Sequence, residues 1–239
     1  MNLRGFMVLL AALVAALATA RLGLWQLDRA AQKTALHDEL QDRGRMPVLA
    51  PTELARSAEQ VGAQLHRRVA LQGEWLADRS VYLDNRQMNG RPGFYLVTPL
   101  RLADGDAVLV QRGWVPRNTQ ERERLAPVVT PSGTVHIEGR IAPSVARLYE
   151  FDAAASGPIR QNLDIASFAR ESGLALRPLV IVQLDGGTPP DDGLQRQWMP
   201  AVLDVSKHHG YAFQWFALSA LITGLYVWFQ LLRPRRPPR

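Results

Sequence analysis

The sequence predicts a membrane protein in which two transmembrane α-helices, one near each end, flank an α+β periplasmic domain rich in antiparallel sheet. Three observations predict this fold: two uncharged apolar runs, a mixed polar sequence between them, and β-rich segments separated by turn signals. The predicted segments are a first helix at 1–27, a domain at 28–207 with a juxtamembrane helix at 28–45, a second helix at 208–232, and a basic cytoplasmic tail at 233–239.

The first apolar run, residues 5–20, allows two interpretations. A run of this length that ends in Ala18-Thr19-Ala20 is also typical of a cleaved signal peptide. The apolar pattern resumes after Arg21 and continues to Trp25, which favours a retained membrane anchor. Small side chains at every fourth position form a stripe suited to packing against the other helix: Ala12, Ala16 and Ala20.

The second apolar run, residues 213–232, is long enough to cross a hydrocarbon layer of about 30 Å. Ala220 and Gly224 form a small-xxx-small pair that allows another helix to approach closely. Arginines crowd the segment after Leu232, so the positive-inside rule predicts a cytoplasmic C-terminus. With two spans, the N-terminus is cytoplasmic as well, and the sequence predicts a multi-pass protein of the bacterial cytoplasmic (inner) membrane.

Strand and turn signals fill the segment between the two runs. Two β-rich stretches flank Asp104-Gly105 within residues 93–116, which predicts a hairpin. The other predicted elements are strands at 68–71, 80–83, 134–139 and 178–184 and a short amphipathic helix at 163–172. This order of strands around one helix is typical of an α+β domain.

Charge and cysteine content narrow the function classes. Six of the 28 Lys and Arg residues lie outside 28–207, where there is no Asp or Glu, so the remaining 22 balance all 22 acidic residues. A nucleic-acid-binding domain would carry excess positive charge on its folded part, so the pattern favours the lipid bilayer and not nucleic acid as a partner. The absence of cysteine excludes disulfides and thiolate metal sites.

The sequence contains no GxSxG, HExxH or Walker motif, which predicts a protein that is not an enzyme. Only the start of the second span has residues in a pattern that could bind a ligand. A helix beginning near His208 places an imidazole above an aromatic stripe, an arrangement able to ligate a porphyrin iron. The residues on this face are His208, Tyr211, Ala212 and Trp215.

On the first helix, Trp25, Arg29 and Lys33 follow one another at intervals of four and offer positive charge to haem propionates. The alternative is that both groups are interfacial aromatic residues and snorkelling cations that hold no ligand. The spacing alone leaves both interpretations open.

Four blocks of this sequence together resemble the Surfeit-locus family of cytochrome c oxidase assembly proteins. They are LGLWQLDRAAQK at 22–33, GFYLVTPL at 93–100, VLVQRGWVP at 108–116 and HHGYAFQW at 208–215. The resemblance implies an assembly factor for haem-copper oxidases that holds haem a and helps to insert it. The partners it implies are the haem-bearing catalytic subunit and haem a synthase.

The resemblance also gives His208 the position of the proposed axial haem ligand, three residues before Tyr211-Ala212. Lys207 and His209 stand where the family usually has other residues, so a two-histidine site is not implied. The remaining residues in family blocks are predicted to be structural, with the glycines at bulges or turns and the tryptophan in the core: Gly93, Arg112, Gly113 and Trp114.

Two functions therefore compete at the level of sequence. The first is a haem a carrier, and the second is a haem-free membrane scaffold that stabilises an oxidase assembly intermediate. Only the carrier needs His208 as an iron ligand.

Overall fold

The computed structural model describes residues 3–118, 120–121, 124–145, 148, 157–185, 192–198 and 205–232. The two long helices form one compact unit and the β-rich domain forms another. The tail predicted at 233–239 lies outside the described residues.

The four α-helices of the described chain differ greatly in length. They are α1 at Leu3–Arg45, α2 at Ala58–Gln64, α3 at Ile165–Ser172 and α4 at Val205–Val227. A turn of π-helix, Trp228–Leu232, follows α4 directly. The second long helix therefore begins at Val205, three residues before the predicted start, because no helix-breaking residue separates Val205 from His208.

Helices α1 and α4 are long and apolar enough to cross a membrane. In the most apolar window of each, only 11% and 6% of the residues are buried. The core helix of a soluble domain would bury an apolar face, whereas these helices leave theirs open. They indicate that the protein associates with a membrane.

The β-rich domain contains seven strands within the described residues. They are β1 at Arg68–Trp75, β2 at Val81–Met88, β3 at Arg91–Leu102, β4 at Ala107–Pro116, β5 at Thr134–Ala142, β6 at Ile159–Arg160 and β7 at Leu176–Gln183. Their order is β1-β5-β7-β4-β3-β2-β6, and β1 also pairs with β3. This extra pairing closes β1, β5, β7, β4 and β3 into a barrel-like ring.

The sheet is mixed. Strands β4 and β7 run parallel, as do β2 and β6, and the other neighbours run antiparallel. The predicted hairpin is present, with Asp104-Gly105 in the turn between β3 and β4 and Gly105 at a φ of 89°. The sequence prediction of an antiparallel-rich sheet included neither the closed ring nor the parallel pairs, because both depend on contacts between distant segments.

The domain has two apolar clusters, one inside the ring of strands and one on its outer surface. The interior cluster takes alternate residues from all five ring strands, among them Leu71, Leu100, Val110, Ile141 and Ile181. The outer cluster joins β3, β4 and β7 to α3 through Val97, Leu109, Val180 and Phe168. Strand β4 is therefore buried on both faces, and its burial continues through Gln111 and Arg112 at its centre.

Trp114 and Gly93 form a fitted pair in the β3–β4 ladder. Trp114 is fully buried and donates its indole N–H to the carbonyl oxygen of Arg86 at 2.9 Å. A Cβ on Gly93 would lie 2.2 Å from the Val115 carbonyl oxygen and 2.4 Å from Cε2 of Trp114. The prediction that Trp114 is a core residue is confirmed. Gly93 leaves space for the indole, and it also lies beside a bulge, since the β2–β3 register shifts between Leu83 and Arg86 and Gly93 pairs with Arg86.

Replacing Gly93 by Ala is expected to cost about 1–3 kcal/mol of stability, because the new methyl group overlaps a backbone oxygen and a buried ring. Guanidinium unfolding of the detergent-purified protein, followed by circular dichroism, measures this loss. Gly62→Ala in α2 is the matched control, since nothing beyond the adjoining residues and the local helix backbone lies within 4 Å of that Cβ position. We expect the control to be neutral or slightly stabilising. Equal midpoints for the two variants would contradict the close fit of Gly93 to the indole.

The segment 192–198 is fixed along β4. Gln195 and Trp114 exchange two backbone hydrogen bonds of 2.9 and 2.7 Å. Trp198 donates its indole N–H to the carbonyl oxygen of Gln183 at 2.6 Å. Gly113 allows this close approach, because a Cβ there would lie 2.6 Å from Cβ of Leu194.

A buried ion network lies beneath the same segment. The Asp192 carboxylate contacts both Arg196 and Arg112, the latter at 3.6 Å. Arg112 also donates to Thr130 Oγ1 at 2.7 Å, and its guanidinium lies 4.7 Å from the ring centroid of Trp75. Burial lowers the pKa of Arg112, and the Asp192 carboxylate opposes that shift only in part. Arg112 and Gly113 are thus structural residues, as the sequence predicted.

Candidate functional site

The candidate site lies where α1 and α4 run side by side. Among the described residues, the helices meet at Ala16 and Ser219, at Gly23 and Phe216, and at Gln26 and His208. Residue numbers rise along α1 while they fall along α4, so the two helices are antiparallel. We call this line of contacts the seam.

Small and polar side chains hold the seam together. Ser219 donates its hydroxyl to the carbonyl oxygen of Ala16 at 2.9 Å. A Cβ on Gly23 would lie 2.8 Å from the ring of Phe216, so the glycine permits the close approach. Thr19 is buried between these two positions on α1. Hydrogen bonds and small residues of this kind are what joins helices in lipid, where there is no hydrophobic drive between them.

The stripe of small residues predicted on α1, which is Ala12, Ala16 and Ala20, lies only partly in the seam. Ala16 lies in the seam, but the buried residues on α1 are Thr19, Gly23 and Ala30. On α4, Ala220 and Gly224 are exposed, and the contacts with α1 come from Phe216 and Ser219 instead. Residue size alone does not tell which of several small-residue stripes meets its partner.

His208 lies at the end of the seam, one turn before the buried Ala212. Its Nδ1 is 2.7 Å from Oε1 of Gln26, and its ring is half-buried. Within the described helices, no hydrogen bond is made by its other nitrogen, Nε2. The neighbouring His209 is exposed. Among the described residues, His208 therefore has one ring nitrogen that is hydrogen-bonded and one that makes no hydrogen bond.

Helical periodicity shows on which side of the seam the predicted α1 residues lie. An α-helix turns by about 100° per residue. Around the axis of α1, the angle from Gln26 increases in one direction to Lys33, then Arg29, then Trp25. Gly23 lies in the opposite direction from Gln26. The guanidinium of Arg29 is 5.8 Å from the ring centroid of Trp25.

The same construction applies to α4. Phe216 lies to one side of Ala212, and Tyr211 and Trp215 lie to the other. Because Phe216 contacts Gly23, the Phe216 side of α4 and the Gly23 side of α1 lie on the same side of the helix pair. The opposite side therefore contains all the residues predicted for the site: His208, Tyr211, Trp215, Trp25, Arg29 and Lys33.

Along the helix axes, the cations and the α4 aromatic residues lie in opposite directions from the imidazole. Arg29 and Lys33 follow Gln26 by about one and two turns along α1, and Tyr211 and Trp215 follow His208 by similar steps along the antiparallel α4. Trp25 and Tyr211 are 49% and 51% exposed. Among the described residues, no contact joins Arg29 or Lys33 to His208, so their common role as a site stays a prediction.

Comparison with known proteins supports the resemblance seen in the sequence. The model of the SURF1 family matches residues 13–220, a range that covers the domain and most of both long helices. The chain belongs to the SURF1 family. That family is linked to cytochrome oxidase assembly.

Three SURF1-like proteins illustrate how far the similarity extends. The protein of Rickettsia bellii is 24% identical over 209 residues, which cover 86% of this chain and 83% of that protein. The Drosophila melanogaster protein is 26% identical over 235 residues, covering 90% and 74%. The Monosiga brevicollis protein is 28% identical over 228 residues, covering 87% and 82%. The similarity thus includes the helices as well as the domain.

One residue of the candidate site, Gln26, is not predicted by the sequence. Gln26 follows Trp25 directly, inside the block LGLWQLDRAAQK, and neither its spacing nor the resemblance gives it a role. The available signal was an amide side chain within the apolar stretch LGLWQL, where a polar group needs a partner. The contact with His208 joins residues 182 positions apart in the chain, so only the structure identifies that partner.

Proposed function

We propose that this protein is an assembly factor that binds haem a and assists its insertion into the catalytic subunit of haem-copper cytochrome c oxidase. The observation that carries the proposal is the imidazole of His208, with Nδ1 bonded to Gln26 and Nε2 open. A neutral imidazole nitrogen is the usual axial ligand of haem iron in many haem proteins. His208 is accordingly the proposed ligand.

The residues around His208 suit a porphyrin. Arg29 and Lys33 would pair with its propionate carboxylates, because charge-assisted bonds from cations to carboxylates are strong where water is scarce. Trp25, Tyr211 and Trp215 would pack against its apolar ring. Haem a would be the cargo of the protein and not its resident cofactor.

The exposure of the site supports transient binding of haem a. Trp25 and Tyr211 leave about half of their surface open, so that a ligand between them would remain accessible from the side. A resident cofactor is usually enclosed far more completely. An open site fits delivery to a second protein, the haem-bearing catalytic subunit, after loading from haem a synthase.

The proposed location is the bacterial cytoplasmic membrane, with both termini in the cytoplasm and the β-rich domain in the periplasm. Two helices of sufficient length and apolarity support two spans. The arginines that follow Leu232 in the sequence support the cytoplasmic C-terminus.

A haem-free scaffold is the second candidate, and a specific observation favours it. The bonds from His208 to Gln26 and from Ser219 to Ala16 join the helices without any ligand. A histidine that served only this purpose would need no iron. The two candidates therefore differ in whether His208 binds haem.

Replacing His208 by Ala is expected to remove bound haem a from protein purified in detergent from cells that synthesise haem a. The expected loss is at least about tenfold, because no second imidazole on this face of α4 can replace the axial ligand. Optical spectra and haem extraction measure the haem content. His209→Ala is the matched control, since it removes an exposed neighbouring imidazole and should retain the haem.

The scaffold would be favoured if the unaltered protein carried no haem in cells whose oxidase matures normally. Equal haem contents in both variants and the unaltered protein would show that haem is bound elsewhere. Circular dichroism of each variant confirms that the fold is kept.

A further inference from the structure

The hydrogen bond between Gln26 and His208 also determines which imidazole nitrogen carries the proton. The distance of 2.7 Å joins Nδ1 to Oε1, the carbonyl oxygen of the amide. An amide oxygen only accepts hydrogen bonds, so Nδ1 must be the donor. In a neutral imidazole, the proton on Nδ1 leaves Nε2 with a free lone pair, and only that form ligates a metal through Nε2.

We propose that Gln26 is the positioning residue for the haem ligand. Its amide oxygen holds His208 in the Nδ1–H tautomer and fixes the ring so that Nε2 points away from Gln26. This inference rests on the proposed haem function and adds a residue to it. Partners of this kind orient metal-binding histidines and raise their basicity, and their loss typically costs 10–100-fold in affinity.

The surroundings of Gln26 explain how it can hold the ring in place. Its backbone belongs to α1, which Ser219 and Phe216 hold against α4 through the seam. The amide is therefore fixed relative to His208 before any ligand arrives. Pre-organisation of the partner is what makes such a contact effective.

A glutamine is also suited to this position because it is neutral. Close to the membrane boundary, a carboxylate would carry a desolvation penalty, whereas an amide offers the same type of oxygen without charge. The bond to His208 satisfies the amide oxygen.

The first measurement uses the haem-free full-length protein, labelled with ¹⁵N-histidine, in detergent or nanodiscs at a pH where histidine is neutral. The ¹⁵N shifts of His208, identified by its loss in His208→Ala, distinguish the two tautomers. We expect the proton on Nδ1 in the unaltered protein and a mixture of tautomers in Gln26→Leu. Gln26→Glu, whose carboxylate also accepts from Nδ1, should keep the Nδ1–H form.

The second measurement is haem affinity, by titration of the same proteins with haem. We expect Gln26→Leu to bind 10–100-fold more weakly and Gln26→Glu to recover most of the loss. Gln214→Leu is the matched control, since it removes an exposed amide from α4 and should bind as the unaltered protein does.

The outcomes separate this inference from the function on which it rests. An unaltered protein that binds no haem would overturn the haem function and the ligand role together. A haem-binding protein whose His208 carries its proton on Nε2 would overturn the role of Gln26 alone. Unchanged tautomer and affinity in Gln26→Leu would do the same.

Discussion

Replacing Asp192 by Asn is expected to destabilise the domain by about 3–5 kcal/mol. The side chains of Arg112 and Arg196 are 1% and 0% exposed, and both contact this one carboxylate. Without it, two guanidinium groups remain buried side by side, and Asp185 contacts only Arg196, at 3.6 Å. An uncompensated buried charge costs far more than the net contribution of the pair. Unfolding in guanidinium, followed by circular dichroism, measures the loss.

The matched control for this variant is Glu138→Gln. Glu138 also pairs with an arginine, Arg68, at 2.8 Å, but both side chains are nearly half exposed. Because water solvates the remaining charge, the control should lose less than about 1 kcal/mol. If the two variants lost the same stability, the buried network would not be the reason for the effect.

Replacing Trp114 by Ala is expected to cost about 3–5 kcal/mol, because it removes the largest fully buried side chain and leaves a cavity. The carbonyl oxygen of Arg86 also loses its hydrogen-bond donor. The same guanidinium unfolding experiment measures this change. Trp114→Phe keeps an aromatic ring in the space and should lose clearly less.

A double variant tests whether Trp114 and Gly93 act as a fitted pair. In the Trp114→Ala background, a methyl group on Gly93 no longer overlaps the indole and overlaps only the Val115 carbonyl oxygen. Gly93→Ala should therefore cost less there than in the unaltered protein, giving a coupling energy of at least about 0.5 kcal/mol. Strictly additive losses would contradict the pairing.

Local chemistry explains which parts of the fold were predictable. The β3–β4 hairpin was predicted because Asp104-Gly105 is a turn sequence with β-rich stretches on both sides. The ring was not predicted, since it depends on β7 lying between β4 and β5 and on β1 pairing with β3. Those partners are separated by long stretches of chain, and no periodicity within a strand specifies its neighbour.

The candidate site also contains residues that local spacing predicts and residues that only a contact between distant segments identifies. His208 and its aromatic neighbours were found because helical spacing places them on related faces of one element. Gln26 was not found, because its importance comes from a contact with a residue on the other long helix.

The place of β7 in the ring has a consequence for how the protein is made. Strand β7 is the last of the described strands along the chain, yet it lies between β4 and β5, which are synthesised earlier. Until residues 176–183 have left the ribosome, both of those strands keep an open edge, and such edges readily pair with other chains. The ring can therefore close only once β7 has been made, about 20 residues before α4, and until then its open strand edges favour pairing with other chains.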